Sequence, residues 1–310
     1  MIAEKKYHLA RSVQEALELT KMYPSFRYLA GGTDAIVNTF QGNDSKDCLI
    51  DLSGITELHR VETAGGFLKI GSLVTLDQLH TVGDIAQLFP ALLNAAQSVA
   101  SPVIRKTATI GGNLLCENRC TFFNQSAWWR KAIGYCLKCD GDVCIATGGK
   151  KNCFSRYVSD TAPVLIALNA RIEIASHEGT RIQALEDLFS GHGIHPRLIN
   201  GDDILLSILL PLHPKQKCVF KKLRPREAMD FSSLSTAVAI DENMNVRIVM
   251  GAVDPGPVLL EAKAPFDFHE VILNCVKKPR IVENDVYSRT YRKDMIGIFL
   301  RRSFEELNIL

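Results

Sequence analysis

LAGGTDAIV (29–37) and TATIGGNLL (107–115) share one form: an apolar strand end, a Gly-Gly pair, then a small polar residue. Glycine pairs let a backbone turn with positive φ and come close to a ligand. Consecutive N–H groups in such a loop form a concave anion site suited to a pyrophosphate. Thr33 offers a hydroxyl or a cap for a following helix. Taken singly, each loop reads equally as a tight turn. Neither matches GxGxxG or GxxxxGK[ST], so a Rossmann site and a P-loop are not supported.

Elements read outward from these loops. Ser12-Val13-Gln14-Glu15 is a capping box opening a helix that Pro24 stops. Short strands are expected at 27–30 and 48–52, and a hairpin at 58–71 about Gly65-Gly66. Thr75 and Pro90 each precede an expected helix, the second over 90–100. Beyond 155 come a helix near 162–169 and strands at 171–175, 204–210, 219–223, 235–240 and 246–253. A final helix spans 287–307, with Tyr291, Met295, Ile296, Phe299, Leu300 and Phe304 on its repeat. Strands and helices that mix without regular alternation indicate an α+β chain, not a doubly wound sheet.

Composition narrows the function classes. The 310 residues carry 36 basic and 34 acidic side chains, which supplies no basic footprint for nucleic acid. The most apolar run, ILLSILLPL (204–212), is too short to span a bilayer. The N-terminus lacks an apolar core of signal-peptide length, and a cytoplasmic protein is expected. No HExxH, nucleophile elbow or Ser/His/Asp constellation is present, and His192 and His195 in a Gly-rich loop offer no rival site.

Six of nine cysteines, Cys116, Cys120, Cys136, Cys139, Cys144 and Cys153, fall in one irregular stretch. Cytosolic cysteines are thiols or metal ligands rather than disulfides. Their spacing alone leaves an iron–sulfur cluster, zinc and unliganded thiols open, and the CxxC of Cys136 and Cys139 suits zinc or a redox pair.

The two glycine loops, in this order, resemble the FAD-binding loops of the molybdenum hydroxylase flavoprotein subunits, the xanthine dehydrogenase family. GSLVTLDQL (71–79), SDTAPVLIALNARIEI (159–174), FKKLRPREAMDFS (220–232) and YRKDMIGIFLRRSFEEL (291–307) fit the same family. NRCTFFNQSAWWRKAIGYCLKCDGDVC (118–144), followed by Cys153, resembles the insertion of the 4-hydroxybenzoyl-CoA reductase β subunits. The resemblance implies a FAD-binding domain over 1–210, split at 56/57, with a cluster-bearing insertion at 116–155 and a smaller α+β domain over 215–310. It implies one 4Fe–4S cluster on Cys120, Cys136, Cys144 and Cys153, with Cys116 and Cys139 as bystanders. Tyr28, Leu29, Ala30, Gly31, Gly32, Thr33, Asp34 and Ala35 would hold the FAD pyrophosphate. Thr109, Ile110, Gly111, Gly112 and Asn113 would form a second cradle. Val99 would lie near the flavin ring, and Asp160, Leu205 and Lys222 are further transfers, with Lys221 an equally near candidate for the basic position. Of the nearby aromatic residues, Phe123 and Trp129 read as packing, while Phe122, Trp128 and Tyr135 stay open.

The implied protein is an electron-transfer subunit with no substrate chemistry of its own. Its implied partners are a molybdopterin large subunit, a 2Fe–2S small subunit and a ferredoxin-type donor, in a heterohexamer. Two other readings remain: the FAD subunit of an oxidative dehydrogenase delivering electrons to NAD or another acceptor, and a zinc-stabilised scaffold without flavin.

Overall fold

The computed structural model describes residues 6–44, 46–82 and 84–310. The chain starts with β1 (Lys6–Leu9), α1 (Val13–Met22), β2 (Phe26–Leu29), α2 (Ala35–Phe40) and β3 (Cys48–Asp51). Strand β3 lies between the other two and runs parallel to both. Parallel neighbours need a crossover, which the two helices provide. Ser12 caps α1 by accepting the Glu15 N–H at 3.1 Å. The return bond of the expected capping box lands one residue early, from Arg11 N–H to Glu15 Oε2 at 2.7 Å. Ala16, Leu17 and Leu19 of α1 pack with Ile50, Ile55 and Leu58 in a first core.

The middle of the chain forms a second sheet. Strands β4 (Val61–Ala64) and β5 (Phe67–Gly71) make the expected hairpin, with both turn glycines at positive φ. Then come α3 (Ile85–Leu88), α4 (Pro90–Gln97), α5 (Pro102–Arg105), α6 (Ile110–Leu114), α7 (Ala127–Ile133), α8 (Thr161–Ala167), β6 (Arg171–Ser176), β7 (Gly179–Ala184) and β8 (Ile204–Pro211). The antiparallel order is β4-β5-β8-β6-β7. All seven residues of α8 are buried, as a helix apolar all round must be. It lies between α4 and α6 on one side and the third sheet on the other.

That third sheet is an antiparallel meander of β9 (Lys217–Leu223), β10 (Leu234–Ile240), β11 (Val246–Gly251) and β12 (Val258–Ala262), followed by α9 (Phe268–Lys277) and α10 (Arg289–Glu306). Every residue of β10 is buried. Ile296, Leu300 and Phe304 of α10 share one core with Val238 and Ile248, and α8 packs the opposite side. The expected division at 56/57 falls in the 3-10 turn Thr56–His59, and the gap after 210 begins at Pro211, the last residue of β8, and ends before β9.

Several expectations are corrected. The helix from Pro90 stops at Gln97 and does not reach Ala100, whose φ of 44° is left-handed. Thr75 opens only a 3-10 turn, Gln78–His80. Strands β1, β7 and β12 and helix α9 have no counterpart in the sequence reading. The edge strands β1, β7 and β12 are largely exposed or half-buried, so no clean alternation marks them. Among the described residues no helix is long and apolar enough to cross a membrane.

Ile208 lies fully buried at the centre of β8. Ile208→Ala is expected to cost about 2–5 kcal/mol by leaving a cavity. Trp128→Ala, at a side chain 78% exposed, is expected to shift stability by no more than about 0.5 kcal/mol. Denaturant unfolding of both variants checks the pair.

Candidate functional site

The first glycine loop joins β2 to α2. A Cβ on Gly31 would stand 1.8 Å from the Thr107 carbonyl oxygen, so the backbones of the two glycine loops touch and no side chain fits between them. Gly32 has φ +71°, a left-handed conformation that glycine adopts at no steric cost. The amides of Gly31, Gly32, Thr33 and Asp34 donate to no group of the chain among the described residues. Such a run of unpaired donors suits an anion. Thr33 does not cap α2. Asp34 holds the N-cap position but makes no cap bond. Its carboxylate accepts the Glu117 N–H at 3.0 Å and pairs with Arg119 instead.

The second loop works differently from the amide cradle expected of it. Thr109 caps α6, its hydroxyl accepting the Gly112 N–H at 3.0 Å. The Ile110 and Gly111 amides donate to Val74 and Ser72 carbonyls, and the Asn113 amide to Thr109. The amides of residues 110–113 are therefore consumed internally, and that of Thr109 alone in the loop's cradle donates to no group among the described residues. The glycine at 111 serves packing, since its Cβ would stand 2.7 Å from the Ser72 side chain and carbonyl. Asn113 turns its Oδ1 to the hydroxyls of Ser159 and Thr161, both at 2.7 Å. This leaves its Nδ2 donor for a ligand.

Between the loops lies a cleft of about 1240 Å³. Residues Tyr28 to Ala35, Val99, Thr109, Gly111, Gly112, Asn113, Asp160 and Leu205 all line it. Ile110 does not: its side chain is fully buried in the central core. Lys222 also stands behind the wall, where its ammonium meets Asp160 Oδ2 at 2.6 Å and the Ser98 carbonyl at 2.9 Å. Lys221 points away, to Glu306. Asp160 and Lys222 are both buried, and Ser232 donates to the other Asp160 oxygen. Burial pushes the Asp160 carboxyl up and the Lys222 ammonium down, while their attraction opposes both shifts. Arg119, Arg197, Asp202 and Phe231 also line the cleft. No local pattern marks them, because folding brings them from distant segments. His195 is among the lining residues, and its ring stacks on His192 at 6.1 Å.

The cysteine stretch is mostly irregular apart from α7 and one 3-10 turn, Leu137–Cys139. Its neck is a backbone bridge between Arg119 and Arg156. Cys120, Cys136, Cys144 and Cys153 line one small enclosed cavity of about 10 Å³, with Phe122, Phe123 and Lys138. Cys116 and Cys139 lie outside it. Cys139 instead accepts the Cys136 N–H at 3.3 Å and sits 3.6 Å from its sulfur. Burial pushes the Cys120 thiol up to about 11 and the Cys116 thiol to about 12. Among the described residues no group of three His, Cys, Asp or Glu is placed to hold a single metal ion. Phe123 is buried, Phe122 joins it at the cavity, and Trp128 and Tyr135 face outward.

A family profile described as the FAD binding domain in molybdopterin dehydrogenase matches residues 3–213, more than half of the chain. The chain belongs to this family. The chain is 29% identical over 259 residues to the xanthine dehydrogenase FAD-binding subunit of Escherichia coli O157:H7, covering 81% of this chain and 75% of that one. It is 27% identical over 266 residues to the aldehyde oxidoreductase FAD-binding subunit of Escherichia coli strain K12, 83% of each. The fold matches a solved carbon monoxide dehydrogenase chain from Hydrogenophaga pseudoflava with TM-score 0.78 at 19% identity, over 97% and 96% of the two chains. The chain is thus an oxidoreductase subunit with the mixed α/β fold of the molybdopterin dehydrogenase FAD domains.

FAD fits the residues present. The free amides of 31–34 suit its pyrophosphate, and the cleft exceeds the 300–1,000 Å³ or so of ordinary small-ligand pockets.

Gly31→Ala and Gly32→Val are expected to abolish FAD binding, the first by forcing the loops apart and the second by straining the left-handed backbone. Flavin content after gel filtration checks this. Asp160→Asn leaves Lys222 buried without its counter-ion and is expected to cost about 3–5 kcal/mol. Adding Lys222→Met is expected to restore much of that loss, which denaturant unfolding of the single and double variants measures.

Proposed function

We propose that this chain is the FAD- and 4Fe–4S-carrying electron-transfer subunit of a molybdenum hydroxylase-family complex, of the 4-hydroxybenzoyl-CoA reductase type. The observation that carries the reading is the convergence of Cys120, Cys136, Cys144 and Cys153 on one cavity, with Cys116 and Cys139 left outside it. Four thiolates are the standard donor set of a 4Fe–4S cluster. A cluster presents four irons, so its ligands stand farther apart than those around one ion. Cys120, Cys136, Cys144 and Cys153 would hold the cluster, which would supply one-electron transfer there.

The surroundings suit a negatively charged cluster. Lys138 lines the cavity, its buried ammonium 3.5 Å from Glu117. Phe122, Phe123 and Phe154 exclude water, and burial and hydrogen bonding are the usual means of tuning a cluster's potential. Bound flavin supplies both one- and two-electron exchange. The chain's own residues do the rest: the 31–34 amides hold the pyrophosphate, Asn113 offers a donor, and Asp160 with Lys222 sets the charge behind the cleft wall.

In this reading a molybdopterin large subunit hosts the substrate, a 2Fe–2S small subunit completes the relay, and a ferredoxin-type donor supplies electrons. The assembly is a heterohexamer and the reaction is reductive dehydroxylation of an aromatic CoA thioester. One relative named above is a xanthine dehydrogenase subunit, which keeps the opposite direction of electron flow as the alternative outcome.

Each of Cys120→Ala, Cys136→Ala, Cys144→Ala and Cys153→Ala is expected to lose iron and sulfide in protein purified anaerobically, while still taking FAD when flavin is saturating. Cys116→Ala and Cys139→Ala are expected to keep near-normal iron. Cluster loss in Cys139→Ala together with retention in Cys136→Ala would refute the ligand set. Stoichiometric zinc without iron would favour the scaffold reading.

A further inference from the structure

One side chain belongs both to the cysteine insertion and to the FAD cleft. Arg119 precedes Cys120 directly, and its backbone exchanges hydrogen bonds of 2.8 and 2.7 Å with Arg156 at the neck of the insertion. Its guanidinium leaves the insertion altogether. It pairs with the Asp34 carboxylate, lies 4.6 Å over the Phe231 ring and lines the cleft. Only 8% of the residue is exposed, and Arg119 Nε has no hydrogen-bond partner among the described residues. An unpaired buried donor is costly, and a flavin in the cleft brings acceptors to this wall.

Asp34 completes the link. An aspartate at an N-cap normally bonds the first turn of its helix. Here the carboxylate is diverted to Arg119 and to the Glu117 N–H, both at the base of the insertion. The same residue ends the run of unpaired amides at 31–34. Cysteine ligation at position 120 would hold the neck, the neck would hold Arg119, and Arg119 would hold the amide loop through Asp34.

We propose that Arg119 is a positioning residue for the flavin, and that the Asp34–Arg119 pair makes FAD affinity depend on metal loading of the insertion. The proposal rests on the reading of the chain as a carrier of both groups. The coupling is reciprocal by linkage.

The experiment measures the FAD dissociation constant by flavin fluorescence on the anaerobically purified full chain, iron-loaded and after iron chelation. Wild type, Arg119→Gln and Asp34→Asn are compared, with circular dichroism confirming folding. Chelation is expected to weaken FAD binding by wild type about tenfold, within the usual range of coupling between sites. Either variant is expected to bind FAD about tenfold more weakly with iron in place, and to lose its dependence on iron, because the pair that carries the coupling is gone. Should Arg119→Gln fail to fold, Asp34→Asn removes the same pair and gives the same readings. Unchanged FAD affinity in the iron-loaded variants overturns the proposal. So does a chelation effect as large in the variants as in wild type. Wild-type protein that takes neither FAD nor iron overturns this inference and the functional reading together, whereas uptake of both without coupling overturns the inference alone.

Discussion

The contact between the Gly31 and Thr107 backbones is the constraint on which the cleft depends. At 1.8 Å from the Thr107 oxygen there is no room for even a methyl group, so the first sheet and the helical layer of the second meet main chain to main chain. Beside that approach the amides of residues 31–34 donate to no group of the chain among the described residues, which leaves them available to a ligand. The two Gly-Gly pairs therefore have different physical roles. One exposes donors, while the other lets a capped helix seat against Ser72 with the amides of residues 110–113 already bonded within the chain.

A second constraint comes from the C-terminal sheet. Strand β9 sends Lys222 to Asp160 and to the end of α4, and Arg224 reaches the same Ser98 carbonyl at 2.9 Å. Two buried opposite charges are expensive to desolvate, and their attraction offsets that cost only in a fixed geometry. The pair thus locates the third sheet against the cleft more than it stabilises the fold. Residues Met229 to Phe231, which line the cleft from that sheet, depend on this placement.

The insertion is tied to its surroundings by polar bonds. Arg130 donates to the carbonyls of Gln41 and Gly42, and Arg156 bridges to Ser232, Ala252 and Asp285. A loop with little apolar core of its own is ordered by such bonds or by a metal, and the described structure of this one shows the polar bonds.

The sequence by itself determined the local features. The capped helix at Ser12, the Gly65-Gly66 hairpin, the apolar strands β8 to β11 and the periodic C-terminal helix follow from spacing and turn chemistry, which act over a few residues. Most of the cleft-lining residues named from the sequence were legible because they cluster in two short loops. The four thiols that share the cavity were separated from Cys116 and Cys139 through resemblance, since spacing left cluster, zinc and free thiols open and its one CxxC pointed to Cys136 with Cys139. Tertiary structure alone decided the rest. It showed that Gly111 packs while Gly31 exposes donors, that Ile110 and Lys222 stand behind the cleft wall, and that Arg119 joins Asp34 across 85 residues. The reason is that side-chain partners and backbone approaches between distant segments are set by packing of whole layers, and no periodicity along the chain records them.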